Sequence, residues 1–373
     1  FGTAHEKLHP RLIFQPFDLM AQGRLSDVQL ISRFCQPSSL VNGLNGTKVS
    51  KLYMHGRLIL KMRVMNLSHY RIHETRAQPE EDMYMTTPLV SFEVFPPRSI
   101  DASFKLWDTA QALAPLEPRF FSVTYGAGGS TRDLTHDAAY TLHKTSGLPV
   151  AAHLTCVGAS KAETMAVAQR FAKAGVTDLV ALRGAPQGDD TKFEAHPEGF
   201  ANSIELIEAL AATNQFTLRV GAYPEKHPEA ACQQDNINWL KAKLDAGACE
   251  AITQFFFEAE TFLRFRDACA DAGITAPITP GILPITNWKS ARSFSERCGT
   301  TVPAWLDQAF ETAIRDDRHD LLAKAICTEM CSDLVDEGVE TLHFYTLNRP
   351  DLTREICHAL GVTQAITGVR DVA

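Results

Sequence analysis

The chain has 373 residues, 45% hydrophobic and 21% charged, with a formal net charge of −8. This composition is ordinary for a folded protein, and the length suits one large domain with an appendage, or two domains. The acidic balance argues against nucleic-acid binding as the main business, and no apolar run approaches the ~18–20 residues of a membrane-spanning helix.

Residues 1–82 differ from the rest of the chain. They carry 11 Lys or Arg against 7 Asp or Glu, show no sustained hydrophobic period, and include the loop-like QPSSLVNGLNGTK (36–48). The chain begins with Phe1, and Met83 and Met85 stand just before the first strong strand signal. Three readings stay open: upstream sequence admitted by a generous choice of start codon, a real extension of unknown role, or a targeting segment. Low order is expected, and no function is read from it.

From residue 89 onward short apolar runs alternate with helical patterning. The runs are LVSFEVFPP (89–97), RFFSVTYGA (119–127), PVAAHLTCVG (149–158), DLVALRGAP (178–186), FTLRVGAYP (216–224), AITQFFFE (251–258), PITPGILPI (277–285) and TLHFYTLN (341–348). A parallel strand covered by helices on both faces reads as a continuous apolar run. Between them lie helix signals: Asp101 as an N-cap, Ser130 or Thr131 as the next, a Ser160/Glu163 capping box, and stops at Gly147, Gly175 and Gly247. The stretch 287–338 has room for two or three helices, and Pro350 opens a last one that ends at Gly361. Eight strand–helix units predict an α/β fold, a (β/α)8 TIM barrel over 83–373 with a poorly patterned N-terminal extension over 1–82.

In such a barrel the C-terminal strand ends build the active site. The residues there are Glu93, Thr124, Tyr125, His153, Thr155, Arg183, Tyr223, Gln254, Tyr345 and Arg349. Glu93 stands in an otherwise apolar strand, where desolvation is expected to raise its pKa and suit it to general-acid work; the alternative is a carboxylate paired with a cation such as Arg183. YGAGGSTRD (125–133) reads as a phosphate cradle or a tight turn, with the turn favoured. His153 reads as a core histidine unless a cofactor lies beside it. Arg183, followed by Gly184, suits an anionic ligand. Tyr223 and His227 share the rigid loop AYPEKHPEA, and the Gln254 amide is able to read a heteroaromatic edge. The nine cysteines lack metal-ligand spacing, although Cys327 and Cys331 share a helix face; no metal site is expected. Rich in orienting groups and poor in nucleophiles, the set suggests that a bound organic cofactor carries the reaction.

The motifs SFEVFPPR, SVTYGAGG, AAHLTCVG, ALRG, AYPEKHPEA, DAGACEAITQFFFE, PGILPITN and HFYTLNR resemble methylenetetrahydrofolate reductase of the bacterial, catalytic-domain-only type. The resemblance covers about 89–365 in order, and the C-terminal regulatory domain of the eukaryotic enzymes is expected to be absent. It implies FAD as cofactor and NADH or NADPH as co-substrate. It further implies ping-pong reduction of 5,10-methylenetetrahydrofolate to 5-methyltetrahydrofolate, a cytoplasmic location, a homo-oligomer and a role in methionine synthesis. By position Glu93 resembles the family's general acid. Thr124, Tyr125, His153, Arg183, Gly184, Ala185, Tyr223, His227, Ala230, Asn236 and Lys243 resemble flavin-region positions, with Arg183 and Lys243 as cations for the diphosphate. Gln254, Phe294 and Arg349 resemble positions facing folate or nicotinamide. Three departures stand out: Ala185 where the family has an aspartate, with Asp189 or Asp190 as substitutes; Asn236 at a second aspartate position, with Asp235 beside it; and Trp239 at an asparagine position. A non-catalytic or impaired flavin- or folate-binding protein is therefore the alternative, and a flavin-free barrel lyase or transferase a third.

Overall fold

A computed structural model describes residues 87–126, 130–184 and 193–363. The chain partitions into two units, Phe1–Met83 and Tyr84–Ala373, and all described residues belong to the second. The expectations for 1–82, Ala185, Asp189 and Asp190 lie outside the described residues.

The described chain is an α/β barrel. Its strands are β1 (Leu89–Val94), β2 (Phe121–Val123), β3 (Val150–Thr155), β4 (Asp178–Leu182), β5 (Thr217–Ala222), β6 (Glu250–Thr253), β7 (Ile278–Thr279), β8 (Gly281–Ile282) and β9 (Thr341–Tyr345). All pair in parallel, in the order β7-β6-β5-β4-β3-β2-β1-β9-β8. The two ends of that order are two halves of one apolar run. β7 pairs with β6, β8 pairs with β9, and Pro280 alone lies between them. Proline has no N–H for a ladder, so the seventh barrel strand is broken there and the eight expected strands become nine segments. The Pro280 carbonyl still accepts from the His343 amide at 3.0 Å, which carries the sheet across the break.

The helices are α1 (Ile100–Leu113), α2 (Arg132–Ser146), α3 (Lys161–Lys173), α4 (Ser203–Ala211), α5 (Gln233–Asp245), α6 (Ala259–Asp271), α7 (Trp288–Cys298), α8 (Ala304–Arg315), α9 (His319–Asp336) and α10 (Pro350–Ala359). Their inner faces and the outward faces of the strands form the main core, with Phe92, Phe121, Phe171, Phe256, Phe262 and Phe344 fully buried. A second, smaller apolar cluster of Phe120, Ala151, Val180 and Ile252 fills the barrel itself.

The cap of α1 is Ser99, whose Oγ accepts from Ala102 N, while the expected cap Asp101 sits in the first turn. The Ser160/Glu163 capping box is present at α3, and the stretch 287–338 holds the three helices α7, α8 and α9. The first and last barrel strands are neighbours, and a Cβ placed on Gly361 just past α10 would lie 3.7 Å from Thr87 Oγ1.

Candidate active site

Strand register brings polar side chains together near the C-terminal end of the barrel. Across β1 and β9, Ser91 pairs with His343 and Glu93 with Tyr345; across β1 and β2, Glu93 pairs with Ser122. His153 enters from β3, and its Nε2 lies 3.3 Å from Glu93 Oε2. His343 is fully buried, with Nε2 4.0 Å from the same oxygen. Its Nδ1 lies 2.7 Å from Ser91 Oγ, and its Nε2 is 3.5 Å from Ser122 Oγ. Phe120 stacks on the His343 ring at 5.7 Å. The Glu93 backbone is fixed too, since its carbonyl accepts from both the amide and the hydroxyl of Thr346.

This environment sets the charge on Glu93. Burial pushes its carboxyl upward, but hydrogen bonds and charge from His153 and His343 outweigh burial and bring it down to about 2. The expected raised pKa is therefore corrected: apolar flanks were visible in the strand, but the two imidazoles were not. The alternative pairing with Arg183 is corrected as well, because that guanidinium grips Glu229 in a bidentate pair at 2.5 and 2.8 Å. Burial pushes the His343 imidazole down, against the pull of Glu93.

A second group lies on the loops after β4 and β5 and on α5. Arg183 stacks over Phe193 at 5.0 Å. Gly184 has φ +88, and a Cβ there would sit 2.7 Å from Val157 and 2.8 Å from Thr155, so only glycine fits. Beside it the Thr155 hydroxyl is buried with no hydrogen-bond partner among the described residues. Tyr223 meets His227 edge-to-face at 4.5 Å; burial raises the phenol and lowers the imidazole. The Ala230 carbonyl accepts from Lys226 Nζ at 2.8 Å.

Lys243 is buried on α5, donates to the Gly221 carbonyl, and is pushed down to about 8 by burial. Asn236, also buried, donates from Nδ2 to the Glu225 carbonyl at 2.9 Å and to Gln233 Oε1 at 3.2 Å. Asp235 is exposed, and its Oδ2 accepts from Cys232 N at the start of α5. The neighbouring carboxylate thus serves the helix start and does not replace Asn236. Trp239 points outward, 46% exposed.

The third group faces the mouth from other sides. The Gln254 side-chain oxygen accepts from Phe255 N at 3.1 Å. Phe294 on α7 stacks on Phe255 at 5.2 Å. Arg349 donates to Thr286 Oγ1 at 3.3 Å and borders a cleft of about 1010 Å³ that also reaches Thr124 and Tyr125. Over that cleft Asn348 clasps Phe95, accepting from its amide at 2.8 Å and donating to its carbonyl at 3.1 Å. The Tyr125 hydroxyl accepts from Arg132 Nε at 3.0 Å. In the glycine-rich segment Thr131 Oγ1 accepts from Gly126 N at 2.6 Å, a turn contact; residues 127–129 lie outside the described residues.

Glu93 and His153 thus meet directly, and Tyr223 meets His227. Thr124, Tyr125 and Arg349 share one cleft, and Gln254 and Tyr223 line a smaller one. His343 and Ser91 were missed by sequence reasoning, although both are polar residues in the inward phase of apolar strands. Also missed was a network at the opposite strand ends. Arg219 bonds Asp178 at 2.5 Å and Glu250 at 2.9 Å, Arg119 bonds Glu250 at 2.8 and 3.1 Å, and Thr279 donates to Glu250 at 2.7 Å. Among the described residues no three His, Cys, Asp or Glu side chains converge on a metal position, and no helix is long and apolar enough to cross a membrane.

Comparison with known proteins gives consistent results. The family model "Methylenetetrahydrofolate reductase" matches residues 79–361. The 5,10-methylenetetrahydrofolate reductase of Escherichia coli K12 is 43% identical over 275 residues, 73% of this chain and 90% of that one. The enzyme of the same name from Pectobacterium carotovorum is 42% identical over 73% of this chain and 90% of its own length. A rice protein named probable methylenetetrahydrofolate reductase (NADH) is 34% identical over 74% of this chain and 48% of its own.

Proposed function

Because this chain belongs to the methylenetetrahydrofolate reductase family, we propose that it reduces 5,10-methylenetetrahydrofolate to 5-methyltetrahydrofolate at a bound FAD, with NADH or NADPH as electron donor. When bound, a flavin would supply hydride transfer between the nicotinamide and the folate, the two substrates using the site in turn. The residues fit such a group. A glycine-only approach at Gly184 lies beside the Thr155 hydroxyl, which has no hydrogen-bond partner among the described residues, and Arg183, Tyr223, His227, Asn236 and Lys243 lie just after the paired strands β4 and β5 and on α5. Arg183 and Lys243 would hold the diphosphate, with Arg183 exchanging Glu229 for it. Thr124, Tyr125, His153, Ala185 and Ala230 complete the flavin-region set, while Gln254, Phe294 and Arg349 hold and orient the folate or nicotinamide.

Glu93 is the proton donor in this reading. Opening the folate's five-membered ring to an iminium requires a proton on the departing nitrogen, and Glu93 is a largely buried carboxyl near the C-terminal end of the barrel, between His153 and His343. In the free protein it is an anion, held down by His153 and His343 against burial. A substrate that covers the mouth strips remaining water from the carboxylate and adds to the upward push. The proton is taken up as the folate binds, and His153, 3.3 Å away, orients the carboxyl. The observation that carries the reading is this carboxylate between two imidazoles at the C-terminal end of the barrel. Stopped-flow measurement of the two half-reactions tests it. Loss of folate reduction without comparable loss of flavin reduction in Glu93→Gln supports it, and equal loss in both moves Glu93 to a structural role.

The second reading, a flavin- or folate-binding protein with impaired turnover, is favoured by Asn236, whose amide is committed to protein carbonyl groups, and by Ala185 in the sequence. The visible spectrum separates the two. Yellow protein bleached by NADH or NADPH and reoxidised by methylenetetrahydrofolate is the reductase; yellow protein that does not turn over is the binding protein. Cytoplasmic location, a homo-oligomer and supply of methyl groups for methionine synthesis belong to the same proposal.

A further inference from the structure

We propose that His343 is a positioning residue for Glu93: its Nε2–H, fixed in that tautomer by Ser91, faces the carboxylate and governs when Glu93 holds the proton it donates. The inference rests on the reading of Glu93 as the proton donor.

The geometry restricts the imidazole to one useful form. His343 is fully buried in β9, and its two ring nitrogens face different partners. Nδ1 is 2.7 Å from the Ser91 hydroxyl. Nε2 is 4.0 Å from Glu93 Oε2 and 3.5 Å from Ser122 Oγ. If Ser91 donates to Nδ1, the ring proton sits on Nε2 and points at the carboxylate. The opposite tautomer would turn a nitrogen lone pair toward an anion inside a low-dielectric barrel, an arrangement that electrostatics penalises. Ser91 and Glu93 lie two residues apart on the same strand, so one strand supplies both the tautomer lock and the group it controls.

The charged and titratable groups facing His343 are Glu93 from β1, His153 from β3, Glu250 from β6 and Tyr345 from its own strand; Phe120 closes the remaining face. Of these, Glu93 is the anion within reach of Nε2. At 4.0 Å the Nε2–H lies beyond hydrogen-bond distance, and its dipole, aimed past Ser122 at the carboxylate, favours ionised Glu93, so removing it makes the carboxyl easier to protonate. Burial pushes the imidazole down, away from its charged form, in accord with a fixed donor and not a second acid.

Two measurements test the proposal. The first is the tautomer of His343 in the purified holoenzyme, read from long-range proton–nitrogen spectra with the signal assigned by its loss in His343→Gln. A protonated Nε2 and bare Nδ1 are expected, with mixing of the two forms in Ser91→Ala; a protonated Nδ1 overturns the proposal.

The second is the pH profile of each half-reaction. The limb that belongs to Glu93 is the one abolished by Glu93→Gln. In His343→Leu that limb is expected to move to higher pH by about one unit or more, because the carboxylate loses the N–H dipole that faces it. His343→Gln keeps an N–H and moves it less, and the flavin half-reaction shows no corresponding shift. If His343→Leu does not fold, His343→Gln and Ser91→Ala carry the same comparison with smaller shifts. Variants that lower both half-reactions equally, with the limb unmoved, overturn the proposal and leave His343 as packing. If Glu93→Gln itself fails to separate the half-reactions, the role of Glu93 falls and this inference falls with it.

Discussion

The two ends of this barrel bury charge in opposite ways. At the N-terminal ends of the strands, Arg119 and Arg219 meet Asp178 and Glu250 in bonds of 2.5–3.1 Å, so two guanidinium groups face two carboxylates. At the C-terminal ends Glu93 meets two imidazoles, at 3.3 and 4.0 Å. A guanidinium stays charged at any working pH, so the lower cluster is fixed. An imidazole changes charge or tautomer with small changes around it, so the upper cluster is adjustable. The same barrel therefore has a permanent electrostatic floor and a responsive ceiling.

The comparison breaks most strongly at the floor. Arg219→Met leaves Asp178 without its guanidinium and Glu250 with only one, and removal of one partner from a buried network costs ~3–5 kcal/mol. Urea unfolding should show that loss, while the ratio of the two half-reaction rates stays unchanged. A loss below ~1 kcal/mol would mean that the floor is not held by charge.

At the ceiling, Glu93→Gln should slow folate reduction by ~10²-fold or more, the ordinary contribution of a general acid, and should cost on the order of 2 kcal/mol in unfolding at neutral pH, less than Arg219→Met, because the neutral amide lacks the stabilised charge. Stopped-flow half-reactions and urea unfolding on the same sample compare the two.

Acid sharpens the contrast further. The folded His343 imidazole lies below its ordinary value, so stability declines as pH falls from the ordinary histidine value, where the unfolded chain takes up the proton first. The folded Glu93 carboxyl lies at about 2, below its ordinary 4.5. Its contribution is fully present above pH 4.5 and is lost as pH falls toward about 2. After discounting for residual exposure and for imidazoles that charge in acid, it is on the order of 2 kcal/mol. Unfolding midpoints across this range should flatten in Glu93→Gln and remain steep in Arg219→Met.

The smallest effect is expected at Tyr345, whose hydroxyl donates to the Thr253 carbonyl across the barrel at 2.5 Å. Tyr345→Phe removes that bond and should cost ~1 kcal/mol in unfolding. A Cβ on Gly281 would lie within 3 Å of both partners, so Gly281→Ala should disturb the crossing more than the loss of the hydroxyl does.

The fold was legible because parallel strands buried on both faces announce themselves as uninterrupted apolar runs. The break at Pro280 shows where that signal stops: the run PITPGILPI contains the proline, but only pairing on both sides reveals that one strand has become two. Local competition explains the helix cap. Ser99 and Asp101 both suit a cap, and Ser99 wins because Ile100 is already helical.

The places of Arg183 and Gln254, each just after its strand, were readable because strand ends are marked by sequence. His343 was not, because its meaning depends on Ser91, 252 positions away in the chain. The same distance problem hid Arg119 and Glu250, which are 131 positions apart. The charge state of Glu93 failed for that reason as well. Its apolar neighbours are local, while the imidazoles that overrule them arrive from β3 and β9.

The adjacency of Gly361 and Thr87 has a topological consequence. Because β1 and β9 are hydrogen-bonded neighbours and the end of α10 returns to the start of β1, the order in which the strands are threaded is not imposed by the closed sheet. A circular permutant could join 363 to 87 through a short linker and open instead between α4 and β5, in the surface turn 212–216. Every barrel pairing would be preserved, and β1 would become an interior strand of the sequence. Such a chain would deliver Glu93 to the ribosome in the middle of translation, after β5 and β9 and before β2, and would separate the barrel's geometry from the order of its synthesis.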